Sequence, residues 1–297
     1  MMKRSVVSIL ALAFCLSSPV GALTIEWVSE YTDVDANGVI PDDIGWINLL
    51  QSQGYTVNVR ADSTNSIYWT TLDDTKIGYL NAADLVIFSR LTNSGSYDDG
   101  TEPTQFNAVT KPMITLSAAI CMSNRWRILN NSTQTNLAAP TMQVLDPSHP
   151  IFAGITLDSN NQVQVIDAAV GYRAGGSGNN GATTVLAAIS AGNGTLLATV
   201  AGANAYVWIA EWTQNTTPYY EGGPQAPGGN RLTFFAGTQN NASPGTGLSA
   251  IGQGLYNLNA EGEKMFLNAV NYMIPEPATI TILSLGGLAL VRNRRKA

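Results

Sequence analysis

The sequence predicts an α/β protein built on a mostly parallel sheet covered by helices on both faces, with an antiparallel meander added in its second half. Three observations carry this. In the first half, short apolar strand runs alternate with stretches that have helical punctuation. In the second half, strand runs are closely spaced and joined by Gly/Asn turns. The composition also supplies a core: 45% of the 297 residues are hydrophobic and only 12% are charged, about half the ~25% charged residues usual in a soluble domain.

The elements follow in order. Thr24–Val28 (TIEWV) reads as a short strand. Pro41-Asp42-Asp43 opens an amphipathic stretch through Trp46, Leu49 and Leu50 that stops at Gly54. Pro and acids at the start with Gly at the end is helix punctuation. Residues 55–59 (YTVNV) alternate as a strand. Leu80-Asn81-Ala82-Ala83-Asp84 leads into the buried run Leu85–Phe88 (LVIF), a short helix is expected within 103–109, and residues 112–116 (PMITL) form the next strand. Residues 183–189, Thr195–Val200 and 205–211 read as a meander, with Ala191-Gly192-Asn193-Gly194 as a hairpin signal between the first two. Residues 231–235 (RLTFF) return to a buried strand. A closing helix over 259–273 has Asn259 as N-cap, Glu261 and Glu263 in its first turn, and Phe266, Leu267, Val270 and Met273 on one side.

Both ends read as processing signals. Lys3 and Arg4 precede an apolar run from Val6 to Leu16, followed by Val20-Gly21-Ala22, which marks residues 1–22 as a signal peptide cut by signal peptidase. About 11 apolar residues are too few to cross the ~30 Å membrane core as a helix. At the other end, Pro275-Glu276-Pro277 precedes a short apolar segment, 278–291, and the basic cluster Arg292-Asn293-Arg294-Arg295-Lys296. This order resembles the PEP-CTERM sorting signal. The resemblance implies recognition by an exosortase-type enzyme near Pro275, Glu276 and Pro277, and delivery to the cell envelope, cell surface or extracellular matrix. The chain would touch the membrane only through residues 274–297, with the basic cluster held on the cytoplasmic side.

Processing changes the charge. The whole chain carries 15 basic and 21 acidic residues, a net charge of −6. Six of the basic residues leave with the ends, so nine remain against 21 acidic and the mature net charge is −12. An acidic chain gains nothing from phosphate counterion release, so nucleic acid is excluded as a partner. Two Cys exclude a disulfide scaffold, and Cys15 leaves with the signal, so Cys121 is the one remaining thiol.

The mature span, residues 23–273, shows no repeat and no Ser/Pro-rich linker, and reads as one domain. Its pieces WINLLQSQGYTVNV, AADLVIFS, KPMITLS, SHPIFAG, NRLTFFAGT and LNAEGEKMFLNAVNYM resemble, in order and texture, the class I glutamine-amidotransferase-like superfamily, including its ThuA-like branch. The resemblance implies a flavodoxin-like doubly wound sheet, with sites at the carboxyl ends of its strands. In catalytic members a Cys flanked by Gly follows the strand that begins with Pro. Here that position is Ser117, flanked by Thr115 and Ala119, and Cys121 lies four residues too late. A Ser nucleophile needs a base and an orienting acid. The single histidine, His149 in Asp146-Pro147-Ser148-His149-Pro150, is the one base available, and it reads equally as a packed turn residue.

Other polar groups follow predicted strands: Ser89 and Arg90 after LVIF, then Asn124, Arg125 and Trp126 after PMITL, and Glu211 within YVWIAEW. Arg, Asn and Trp together suit carbohydrate or carboxylate recognition through forked hydrogen bonds and stacking. They equally suit internal pairing, such as Arg90 or Arg125 with Glu211. Asp33, Asp35 and Asn37, before Gly38, match the first half of a calcium loop. The loop would close at position 44, which is Ile, with Asp42 and Asp43 off register, so a weak calcium site and an acidic loop capping the next helix are both open. No other cofactor is indicated. The stretch 213–230 is a lid or a solvated excursion.

The sequence therefore leads to an exported, sorted surface or matrix protein whose amidotransferase-like domain is non-catalytic and binds glycan or another envelope component. The alternatives are an extracytoplasmic hydrolase of carbohydrate or a related polymer using Ser117 or Glu211, and a purely structural matrix component.

Overall fold

The computed structural model describes residues 22–30, 43–61, 68–98, 100–138, 140–170, 183–202, 205–214, 216–238 and 254–274. The signal peptide, the calcium-loop residues Asp33, Asp35 and Asn37, and the sorting residues Pro275, Glu276 and Pro277 lie outside these.

In chain order the elements are β1 (Thr24–Val28), α1 (Ile44–Ser52), β2 (Thr56–Arg60), α2 (Asp74–Ala82), β3 (Leu85–Phe88), α3 (Glu102–Asn107) and β4 (Met113–Thr115). There follow β5 (Gln134–Leu137), β6 (Thr141–Val144), β7 (Gln162–Gln164), β8 (Thr183–Leu186), β9 (Thr195–Val200), β10 (Val207–Trp212), β11 (Arg231–Phe234) and α4 (Ala260–Met273). Nine strands form one sheet in the order β2-β1-β3-β4-β11-β10-β9-β6-β7. The first five are parallel to their neighbours, and every pairing from β11 onward is antiparallel. The order of the parallel half is that of a flavodoxin-like doubly wound sheet. The fold class read from the sequence is the one observed.

The inner parallel strands β3, β4 and β11 are buried along their whole length because helices cover both of their faces, whereas the edge strand β2 (TVNVR) is partly exposed. On one face, Trp46 of α1 stacks near Trp27 of β1, and Phe266 of α4 meets Trp46 and Phe234 with ring centres 5.0 and 5.6 Å apart. On the other, Phe106 of α3 packs edge-on against Phe88. Helix starts follow their caps: Asp73 accepts from the Lys76 N–H at 2.8 Å and Asn259 from the Gly262 N–H at 2.9 Å. Gly54 ends α1 at φ +88° with open space around it, so the backbone conformation and not the packing requires glycine there.

Two expectations are corrected. The strand expected over 183–189 ends at Leu186 and pairs with β5 in a separate two-stranded sheet, so the meander is β9-β10-β11. The Gly-rich turn before β9 therefore does not close a hairpin. Gly194 serves close approach instead, since a Cβ there would stand 2.4 Å from Trp212 Nε1, and Gly192 serves both needs, with φ +62° and a Cβ that would stand 2.6 Å from Tyr220 Cβ.

Candidate functional site

The carboxyl ends of β1 and β3 place Ser29 and Ser89 side by side, and both are buried. Between them stands Asp43, at the start of α1 and fully buried. Its Oδ2 accepts from Trp27 Nε1 at 2.7 Å, from Ser29 Oγ at 2.8 Å, and from Ser89 Oγ. Its Oδ1 has no hydrogen-bond partner. Burial pushes the Asp43 carboxyl above its ordinary range, and the hydrogen bonds, led by Ser89, pull against that. Ser89, expected at a binding rim, is thus a core hydrogen-bond donor. The sequence marks Asp43 as a helix-start acid off register for the calcium loop; its neighbours Trp27, Ser29 and Ser89 lie on or just after β1 and β3, which no local pattern reveals.

Arg90 is 1% exposed, with Nη2 3.3 Å from Thr184 Oγ1. Burial lowers its guanidinium to about 10. A Cβ on Gly237 would touch its side chain at 2.9 Å, so the backbone after β11 is closed down on it. Trp126 is also fully buried, stacked on Phe106 at 4.5 Å and packed edge-on to Phe88 at the same distance. Neither side chain is available to a ligand, which corrects their assignment as binding groups. Arg125 is partly exposed and pairs with Asp98 at 2.5 Å, not with Glu211. Asn124 is exposed beside it. The expected constellation of Ser89, Arg90, Asn124, Arg125, Trp126 and Glu211 is therefore dispersed.

Ser117 follows β4 and is fully buried, and its hydroxyl has no hydrogen-bond partner. Thr115 pairs with Thr233, which pairs with Ala210 of β10. β10 runs the other way, so Ser117 is level with the start of β10, whereas Glu211 lies toward its end. The two are separated by about three residues along the sheet and two strands across it, roughly 10 Å in each direction. The carboxyl end of an antiparallel strand points to the opposite edge of the sheet, so Glu211 is not at the rim where Ser89 and Ser117 lie.

His149 is brought to Glu211 instead. Its Nε2 is 3.7 Å from Glu211 Oε1, beyond hydrogen-bond reach. Tyr272 donates to Glu211 Oε2 at 2.9 Å, and its ring meets the His149 ring edge-on at 4.7 Å. His149 also caps the short 3-10 turn Pro150–Phe152, accepting from the Ile151 N–H at 3.4 Å. Asn268 of α4 donates to the carbonyls of Ile151 and Ala153. The acid, the imidazole and the phenol thus fasten α4 and this turn to β10. Ser117, His149 and Glu211 do not form one catalytic group.

An open groove of about 600 Å³ lies elsewhere, between three loops that carry Asn130 and Asn131, Ile189 and Ser190, and Tyr220 and Glu221. Asn131 donates to the Ala187 carbonyl at 3.1 Å and accepts from the Thr133 N–H at 2.7 Å. Asn193 donates to the carbonyls of Pro218 and Tyr219. These bonds hold the loops together. The stretch 213–230, read as a lid or excursion, supplies one wall. Gly222 and Gly223 follow Tyr219-Tyr220-Glu221 in the sequence, whereas Ile189, the last residue of the strand expected over 183–189, lies beyond β8 and is 72% exposed.

Among the described residues, no group of three or more His, Cys, Asp or Glu is arranged to hold a metal ion, and no helix is long and apolar enough to cross a membrane. No protein-family model matches the chain, and no curated protein matches it.

Proposed function

We propose that the chain is an exported protein, sorted to the cell surface or extracellular matrix, whose α/β domain binds an envelope component without transforming it. One observation carries the non-catalytic half of this reading. The residue at the nucleophile position, Ser117, is buried with an unpartnered hydroxyl, two strands away from the acid that the single histidine accompanies. A serine hydrolase needs its base within hydrogen-bond reach of the nucleophile, and this geometry gives such an enzyme no support. The export half rests on the two ends: Lys3 to Ala22 as a signal peptide, and the order Pro-Glu-Pro, apolar segment, basic cluster as a sorting signal read by an exosortase-type enzyme.

The test is a fractionation of cells of the native host producing the full chain and a variant in which Pro275, Glu276 and Pro277 are all replaced by Ala. The native chain is expected in the outer envelope or the medium, shortened at its carboxyl end. The variant is expected to remain at full length in the inner membrane fraction. Identical distribution and identical mass of the two chains would sink the sorting reading.

A further inference from the structure

We infer that the groove between the 130–131, 187–192 and 219–221 loops is a binding site for a neutral saccharide chain. This rests on the reading of the domain as an extracytoplasmic binding module, and it places the site away from the sheet's carboxyl edge.

Size comes first. About 600 Å³ lies within the range of small-ligand sites. The groove is partly open to solvent, which suits a chain lying across it better than a fully enclosed single ring.

Its walls combine the two surfaces that a sugar presents. Tyr220 and Ile189 supply the apolar part. Ile189 is the most exposed of the large hydrophobic side chains described, at 72%. Tyr220 is half-buried and held in place by backbone. A Cβ on Gly192, whose φ is +62°, would come within 2.6 Å of Tyr220 Cβ. One on Gly223 would come within 3.1 Å of the ring edge at Cε2, and the Gly223 N–H donates to the Tyr220 carbonyl at 2.8 Å. Two glycines thus let the chain close around one aromatic side chain, so its ring is ordered before a ligand arrives. A pre-ordered ring loses little entropy on stacking.

The polar part is Asn130 and Glu221, both exposed. A primary amide offers two donors and an acceptor, and a carboxylate accepts from hydroxyls. Asn131 and Ser190 are already engaged in the loops and shape the floor: Ser190 Oγ accepts from the Gly192 N–H at 3.0 Å.

Charge selects the class. Among the described residues Glu221 is the only charged member of the lining, and the one cation felt at Tyr220, Arg127, is not part of it. A domain at −12 after processing also repels an anionic polymer. An uncharged polyhydroxylated chain is the ligand these walls accommodate.

Affinity electrophoresis of the full chain tests this, in gels containing dextran, laminarin or soluble starch as neutral probes, alginate as an anionic probe and chitosan as a cationic one. Retardation by at least one neutral probe is expected, with Tyr220→Ala and Asn130→Ala each weakening it at least about tenfold, the loss of one good contact. Asn130 is exposed and its side chain makes no hydrogen bond among the described residues, so Asn130→Ala keeps the test valid if Tyr220→Ala fails to fold. Retardation by chitosan alone, by alginate alone, or by no probe overturns the inference. So does retardation that both variants retain. The fractionation with the Pro275-Glu276-Pro277 replacement separates the two readings: normal sorting without retardation removes the groove and leaves the exported module.

Discussion

The hydroxyl of Tyr272 donates to Glu211 Oε2 at 2.9 Å, tying the last turn of α4 to β10. The donor is the neutral phenol. Burial and the neighbouring carboxylate raise Tyr272 to about 12, above its ordinary value of 10.0. A folded-state value above the unfolded one means that the stabilisation is complete below pH 10 and fades as the pH climbs toward 12. Tyr272→Phe is expected to destabilise the chain by about 1 kcal/mol at pH 8, a modest figure because the pair is partly exposed. The gap to the native chain should close between pH 10 and 12. Urea melts at pH 8 and pH 11 measure it; no gap at pH 8 would show that the bond contributes nothing, and an equal gap at both would show that the loss does not come from the phenol proton.

Arg231 is buried at the start of β11 and serves as a collector of carbonyls. Its Nη2 donates to the carbonyls of Val109 at 2.6 Å, Asn107 at 3.1 Å and Phe106 at 3.4 Å, and Nη1 to those of Lys111 and Asn230. A cation at the carboxyl end of α3 satisfies groups that no helix residue can reach. Arg231→Met removes the fork and leaves buried acceptors unmet, so a loss of at least about 3 kcal/mol is expected. Arg231→Lys should recover only part of it, because an ammonium cannot span this set. Denaturation that places Arg231→Met within 1 kcal/mol of the native chain would contradict this.

The parallel half of the sheet was legible because TIEWV, LVIF, PMITL and RLTFF are short apolar runs that only burial on both faces explains. The segments QTNL, TMQV and QVQ were not, since they are short and half polar, and become strands through neighbours distant in sequence. β6 is held by β9 and β7. The Ala191-Gly192-Asn193-Gly194 turn looked like a hairpin because a sequence shows that glycine is required without showing whether conformation or a neighbour requires it. Of the site residues, Glu211 failed for a directional reason: a strand's carboxyl end marks the rim only if the strand is parallel. Trp126 failed because an Arg, Asn and Trp together suit a ligand-binding rim in sequence, while its ring turns into the Phe88–Phe106 cluster.

That last contrast is measurable. Trp126→Ala removes a fully buried ring stacked on Phe106 and should cost about 3–5 kcal/mol. Arg125→Ala breaks a half-exposed pair with Asp98 and should cost under about 1 kcal/mol. A rim role would make the two alike in ligand binding and small in stability. Thermal melts in which Trp126→Ala is as stable as Arg125→Ala would return Trp126 to the surface.

Cys121 is fully buried, and its thiol is pushed upward by burial. The thiolate is the reactive form. In a chain beginning at Leu23, where Cys121 is the sole cysteine, labelling by a thiol reagent at pH 8 should run at least about a hundredfold slower in the native state than in denaturant, because it must wait for opening. Equal rates would mean that the loop after β4 is open to solvent.

Asp43 yields the sharpest pH prediction. Its folded-state value is raised by burial, so the fold holds that proton more tightly than the unfolded chain does. The contribution to stability is therefore greatest below the ordinary value of 3.8 and is lost as the pH rises through the raised one. Above that, the ionised group is tolerated because Trp27, Ser29 and Ser89 all donate to Oδ2. In Asp43→Asn the amide oxygen can face the same donors, while the NH2 stands where Oδ1 has no partner and adds an unmet buried donor, at a cost that does not vary with pH. The variant should thus gain on the native chain as the pH rises from below 4 toward neutrality. Asp43→Leu is the companion control: it leaves three buried donors unmet, at a cost of about 3 kcal/mol or more, and, lacking the titrating carboxyl too, its gap to the native chain should narrow over the same pH range from that larger value. Stability measured across this range in which Asp43→Asn falls further behind as pH rises would show that the carboxylate is held by more favourable charge than its neighbours provide.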